Sequence, residues 1–254
     1  MPVYLTYAIQ LLLIIHVLKT GRDKYWIWLL LFLPAVGGIA YFVIEILPDL
    51  RGGIHGQRAL RNVRGVLDPG GDVRTAAAAY EQSANPENAR HYAQALIAGS
   101  RNEEAEQVLD AQLKGVHEHD PLLLELKARA QFDQEKYNDA IWTMDVLTKE
   151  NPAHTSAEGH LLYARALEAV NRSEDALENY KAVSDYYPGA EARVRYCLAL
   201  ISAGIADEGR QALEELLNDA RLAPRHFRQS QKPWLDQAKS ALKHLDSGKL
   251  PDNS

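Results

Sequence analysis

The chain has 254 residues, 24% of them charged, a mean hydropathy of -0.31 and a formal net charge of -6, the average of a soluble protein of one domain or two small ones. A single cysteine, Cys197, excludes an intramolecular disulfide framework, and its neighbours Tyr196 and Leu198 point to a buried rather than a reactive thiol. The average conceals a division: residues 1–71 hold seven Lys/Arg against four Asp/Glu, +3, whereas the remainder holds 21 against 30, -9, which argues against a nucleic-acid partner.

Two apolar runs open the chain. Val3 to Leu18 is uncharged apart from His16, and Trp26 to Leu47 apart from Glu45. At about 1.5 Å per residue the second spans roughly 33 Å, enough for a hydrocarbon core about 30 Å thick. The first reaches roughly 24 Å and needs local thinning or a snorkelling Lys19. The segment from Lys19 to Lys24 is a turn, and Tyr25, Trp26 and Trp28 stand where an interfacial aromatic belt lies. A secretory signal requires a basic residue ahead of its apolar run, but none precedes Lys19 and a second run follows at once. The expectation is a two-helix membrane anchor over residues 1–50. In it Pro34 kinks the second helix, and Gly37 and Gly38 offer a flat face for close contact. His16 falls by the turn and Glu45 near the opposite surface, so the two ionisable groups are interfacial and do not form a proton path.

Arg51, Arg58, Arg61 and Arg64 follow the second run, against three basic residues in the turn. The count favours both ends, and everything beyond, on the cytoplasmic side of a bacterial inner membrane. The cluster suits anionic headgroups, at about 1 kcal/mol per basic residue near the surface, and suits a solvated linker equally well. Pro69-Gly70-Gly71 punctuates the chain. Residues 51–71 therefore read as a basic juxtamembrane linker, 72–247 as a helical domain and 248–254 as a disordered tail.

The apolar start, with Trp26, Trp28, Pro34, Gly37, Gly38 and Tyr41, resembles the two-helix module at the amino terminus of bacterial cardiolipin synthases, over residues 5–48. The resemblance implies an anchor. Phospholipase D-type catalysis needs H-x-K-x4-D motifs, and no histidine here has a lysine two residues on. An accessory or regulatory subunit of membrane lipid metabolism is the alternative reading that rests on this module.

From Asp72 onward apolar residues recur at three and four, and β-branched runs are missing. The segment from Val73 to Ala84 predicts a lone helix before Asn85-Pro86. Ala105, Ala140, Ala176 and Gly209 then stand 35, 36 and 33 residues apart. Thirteen residues before each are Tyr92, Lys127, Tyr163 and Tyr196. Nine before each are Leu96, Gln131, Leu167 and Leu200, so Gln131 is polar where the others are apolar. Small residues let the two helices of a hairpin approach, and large ones fill the groove between hairpins. Asn138-Asp139 and Ser173-Glu174-Asp175 are helix-start chemistry, and Pro152 and Pro188 close second helices. In the first repeat proline is delayed to Pro121. Trp234, Leu235, Ala238, Ala241 and Leu242 share one face of a closing helix, with Lys239 and Lys243 outside.

This pattern resembles the tetratricopeptide repeat. The resemblance implies an all-α solenoid of about four helix-turn-helix repeats with capping helices, and a protein or peptide partner on the concave face, without catalysis. Carried onto this chain, the inward positions are Arg90, Gln94, Glu125, Arg129, Phe132, Arg165, Glu168, Val194 and Leu198. Arg90, Arg129 and Arg165 around Phe132 suit an acidic partner. The lysine–asparagine clamp of some family members is replaced by Arg90 and Gln94. Against this, Glu125 stands four residues before Arg129 and Glu168 near Arg165, spacings for pairs within a helix. His117-Glu118-His119-Asp120 is the one cluster resembling metal ligands, and it reads as a solvated acidic loop. No cofactor motif occurs, and the chain is expected not to be an enzyme.

Overall fold

A computed structural model describes residues 70–247 and, before them, only Leu13, Leu29 and Leu30. The chain divides into two compact units, Met1–Asp72 and Val73–Ser254. In the first, Leu13, Leu29 and Leu30 are helical and Leu30 is buried. The expected anchor residues Trp26, Trp28, Pro34, Gly37, Gly38 and Tyr41, the linker before residue 70 and the tail from 248 lie outside the described residues. Among the described residues no helix is long and apolar enough to cross a membrane.

From residue 70 onward the described chain is helices and turns with no strand. A leading helix α1 (Gly71–Gln82) precedes four hairpins: α2 (Pro86–Ala98) with α3 (Asn102–Gln112), α4 (Pro121–Asp133) with α5 (Tyr137–Glu150), α6 (Ala157–Ala169) with α7 (Ser173–Ser184), and α8 (Glu191–Ser202) with α9 (Ala206–Leu222). A short α10 (Arg225–Ser230), absent from the sequence reading, leads into α11 (Lys232–Asp246). Each second helix also packs on the next first helix, as α3 does on α4, α5 on α6 and α7 on α8. First helices touch their successors, α2 with α4 and α4 with α6. At the end, α11 lies against α8 and α9.

The turn inside each hairpin is the same object four times. Ser100, Glu135, Asn171 and Gly204 have φ of 57°, 61°, 60° and 83°, each five residues before the small residue of its repeat. Behind each, the next residue donates its N–H to the carbonyl five back: Arg101 to Leu96 at 2.9 Å, Lys136 to Gln131 at 3.0 Å, Arg172 to Leu167 at 2.9 Å and Ile205 to Leu200 at 2.9 Å. This left-handed closure satisfies the last carbonyls of the first helix and reverses the chain within three residues. The expected capping of second helices by side chains does not occur. Asn138 and Ser173 lie inside α5 and α7, whose N-caps are Lys136 and Arg172 with no side-chain cap hydrogen bond. The N-cap positions are held by Arg101, Lys136, Arg172 and Ile205, none of which carries a side-chain acceptor. Asp139, Glu174 and Asp175 still put negative charge in the first turns.

Three of the four first helices are capped instead, while the N-cap of α8 is Ala190, whose N–H donates to Gln231 Oε1 at 2.9 Å. Asn85 accepts from the Asn88 N–H, Asp120 from those of Leu122 and Leu123, and Ser156 from that of Gly159. Pro121, expected as a delayed stop, is the opening residue of α4, where its missing N–H is no loss. Pro152 follows the end of α5 by two residues. Pro188 stands four beyond α7, which ends on turn bonds from Tyr186 and Tyr187 to the Val183 carbonyl.

The small residues sit between paired helices. Ala105, Ala140 and Ala176 are at most 2% exposed. At Gly209 a Cβ would lie 2.7 Å from Ile201 Cγ1 and 3.0 Å from the Cys197 carbonyl, so this hairpin closes on a bare backbone. Around them the core runs from Val73, Leu96 and Leu109 through Ala128, Met144 and Leu162 and Leu167, Tyr180 and Val183 to Leu213, Leu216 and Leu235. Cys197 is buried, which pushes its thiol up to about 11.

Gln131 is buried in a polar joint between three helices. The Thr143 hydroxyl donates to Gln131 Oε1 at 2.8 Å, and Gln131 Nε2 donates to Glu106 Oε1 at 2.9 Å. Gln134 Nε2 and Lys136 Nζ donate to Glu106 Oε2 at 3.0 and 2.9 Å. Burial acts to raise the Glu106 carboxyl, but the bonds from Lys136, Gln131 and Gln134 outweigh it and hold the group below the ordinary carboxylate range.

Candidate partner-binding face

The candidate side chains fall into three groups, of which the sequence offered two. In α2, Arg90 donates to both oxygens of Glu87, at 2.6 and 3.1 Å, and reaches Gln94 Oε1 at 3.5 Å. Glu87 raises the Arg90 guanidinium above its ordinary value, with Asp120 adding a smaller attraction. Arg90 and Gln94 thus form a pair of their own at the first repeat.

The second group is Arg129, Phe132 and Arg165. Phe132 is half-buried, edge-on to Tyr137 at 5.2 Å between centroids, and carries the Arg165 guanidinium 4.7 Å above its ring. Arg129, half-exposed, donates to Asp133 at 2.9 Å. The pair with Glu125 offered by the sequence does not form. Glu125 turns instead to the following loop, where it accepts from the Ser156 hydroxyl at 2.7 Å and lies 3.0 Å from His154 Nε2. That contact fastens α4 to the N-cap of α6. Burial lowers the Arg165 guanidinium from its ordinary value, and the charge of Arg195 lowers it further against the pull of Glu191.

The third group was missed by sequence. Arg195 stacks 5.1 Å over Trp234, donates to Glu191 at 2.9 Å and lies 3.6 Å from Glu168. It stands one helical turn before Leu198, the position aligned with Arg129 and Arg165, and its aromatic partner belongs to the closing helix. The one available signal was the Glu191–Arg195 spacing of four. Glu168, read as a partner for Arg165, accepts instead from the Tyr180 hydroxyl at 2.6 Å. Val194 is fully buried in the last core cluster and presents nothing to a partner, because α11 covers α8 there.

Arg129, Phe132 and Arg165 therefore lie together and continue through Glu191 to Arg195 and Trp234, while Arg90 and Gln94 stand apart. Beside Glu191 and Trp234 opens a cleft of about 390 Å³, also lined by Tyr187, Pro188, Phe227 and Gln231. A larger hollow of about 590 Å³ lies between α5, α6 and α7, bordered by Met144, Leu147, His154, His160 and Tyr163. Its polar groups bond one another: His160 contacts Asn179 and Tyr186, and the Tyr163 hydroxyl donates to Asp145 at 2.6 Å. Asp120, of the one metal-like sequence cluster, has its carboxylate on the backbone of α4. Among the described residues no three or more His, Cys, Asp or Glu are grouped to hold a metal ion.

Four hairpins with one turn geometry and a closing helix define a tetratricopeptide-type α-solenoid. The fold is shared with solved structures of MamA. One is described as the MamA RS-1 ArsTM double mutant, with a TM-score of 0.55 and 18% identity over 65% of this chain and 90% of that one. Another is a crystal structure of MamA, with a TM-score of 0.50 and 16% identity over 57% of this chain and 85% of that one. The sequence matches no protein-family profile, and no curated protein matches it either.

Proposed function

We propose that the chain is a non-catalytic adaptor that holds a protein or peptide partner on the face built by the first helices of its hairpins, centred on Arg129, Phe132 and Arg165, with Arg90 and Gln94 as a secondary contact. The observation that carries this reading is the guanidinium of Arg165 stacked on Phe132 beside Arg129, a cationic and apolar pairing suited to an acidic segment. The solenoid of residues 72–247 is tethered by residues 1–50, through the linker 51–71, to the inner face of a bacterial plasma membrane. Tethering raises the local concentration of whatever the face captures.

Crosslinking in the native membrane, followed by identification of the captured protein, tests the adaptor. Arg129→Glu with Arg165→Glu should abolish capture while the melting curve stays close to that of the parent. Undiminished capture by the double variant would remove the face from the reading. Protease treatment of sealed inside-out vesicles tests the topology, and a protected solenoid would reverse it.

A further inference from the structure

Among the four arginines of the candidate face, Arg90, Arg129, Arg165 and Arg195, hydrogen bonding leaves one member over. Arg90, Arg129 and Arg195 each donate to a carboxylate at 3.1 Å or less. The Arg165 guanidinium makes no hydrogen bond among the described residues. Its nearest carboxylate oxygen, Glu191 Oε1, is 4.0 Å from Nη1 and already accepts from Arg195 at 2.9 Å. A guanidinium carries five N–H donors in a rigid planar fork and cannot meet that deficit by losing its proton. The side chain is only 29% exposed, and its guanidinium carbon lies 4.7 Å from the centroid of the Phe132 ring.

The surroundings narrow the ligand. Arg129, Arg165 and Arg195 are interleaved with Asp133, Glu168 and Glu191, so the row as a whole is balanced. A polyanion such as a phosphorylated lipid surface or a nucleic acid would meet those carboxylates, whereas one carboxylate is matched to one undersupplied guanidinium. Next to Glu191 lies the cleft of about 390 Å³ walled by Tyr187, Phe227 and Trp234, with room for a large apolar side chain.

We propose that this end of the face is a two-part subsite for an acidic peptide segment of a partner protein. A carboxylate of the segment sits edge-on to Arg165, and a neighbouring aromatic or large aliphatic side chain enters the cleft against Trp234. The subsite rests on the adaptor reading of the same face and adds the chemistry of the partner. Glu191 competes with the incoming carboxylate for Arg165, so neutralising it strengthens binding.

The test pans a random phage-displayed peptide library on the full chain, then titrates the best fluorescein-labelled peptide by fluorescence polarisation. The captured peptides are expected to be enriched in Asp or Glu near an aromatic residue. Replacing either by Asn, Gln or Ala in the peptide should weaken it about tenfold, the worth of one charge-assisted contact. Arg165→Gln should weaken the parent peptide to the same degree and Arg165→Lys less, with melting curves showing that both variants are folded. Glu191→Gln should tighten it, and Arg101→Gln, in the turn of the first hairpin and paired there with Glu104, should leave it within about twofold. Peptides that respond to Arg129→Gln but neither to Arg165→Gln nor to Glu191→Gln would overturn the subsite and leave the adaptor standing. A library that yields no peptide bound to this face would overturn both.

Discussion

The second repeat buries Gln131 and Thr143 at positions where the fourth has Leu200 and Ala212, yet both hairpins turn through the same left-handed residue and the same bond to the carbonyl five back. The backbone closes the hairpin, and the side chain beneath is free to be hydrocarbon or amide. The condition differs between the two. Hydrocarbon must fit, and in the fourth repeat the fit is tight enough to require Gly209 against the Cys197 carbonyl. An amide must have its polar atoms partnered, and Gln131 of the second repeat is partnered by Thr143 of the same hairpin and by Glu106 of the one before. One repeat is specified by shape and the other by a network.

The sharpest way to break the shape-specified repeat is Gly209→Ala. Alanine is worth about 1 kcal/mol more than glycine inside a helix. The new methyl would nevertheless press on Ile201 and on a carbonyl that cannot rotate away, and a net loss of about 2 kcal/mol is expected in urea unfolding. An unchanged midpoint would show that the hairpin is looser than described.

The network-specified repeat breaks differently. Gln131→Leu supplies the residue type of the other three repeats but leaves the Thr143 hydroxyl without its acceptor, and about 1.5 kcal/mol should be lost. Adding Thr143→Val should recover the share due to that hydroxyl, while Glu106 Oε1 still lacks the donor that Gln131 supplied. A double variant no better than the single one would show that the amide matters for more than satisfaction.

Acid distinguishes the same two repeats. The Glu106 carboxyl is held below its ordinary value of 4.5. Its contribution to stability is therefore complete above that value and is lost as the pH falls through the lower value of the folded state. Unfolding midpoints followed from pH 6 to pH 3 should fall less steeply in Glu106→Gln than in the parent, and parallel curves would contradict the network.

The smallest effect belongs to the turn that the repeats share. Glu135 takes a positive φ that costs an L side chain about 1 kcal/mol, so Glu135→Gly should stabilise by roughly 0.5 to 1 kcal/mol, and Gly204→Ala should destabilise by a similar amount. Thermal melts of the two variants that shift in the same direction would refute a common turn.

The all-helical class and the repeat period were legible because close approach of two helices demands a small residue at one place per hairpin. Ala105, Ala140, Ala176 and Gly209 mark that place by themselves. The anomaly of Gln131 was visible too, but its partners were not, since Glu106 lies 25 residues back and reaches it only through packing. Within the candidate site, Arg129 and Arg165 share a register, and with Phe132 three residues after Arg129 the three stood out together. Arg195 and Trp234 did not, because nothing short of the docked closing helix joins residues 39 apart.

Sequence alone determined which residues recur, and hence helices, hairpins and a face rich in arginine. Tertiary structure decided which carboxylate each arginine received. Local spacing offers Arg129 both Glu125 and Asp133 at four residues. The choice fell to Asp133 because Ser156 and His154, brought in by the next repeat, took Glu125. By the same logic Arg165 lost Glu168 to Tyr180 and shares Glu191 with Arg195. Helical spacing sets which pairs are within reach, and competition among repeats settles which of them form.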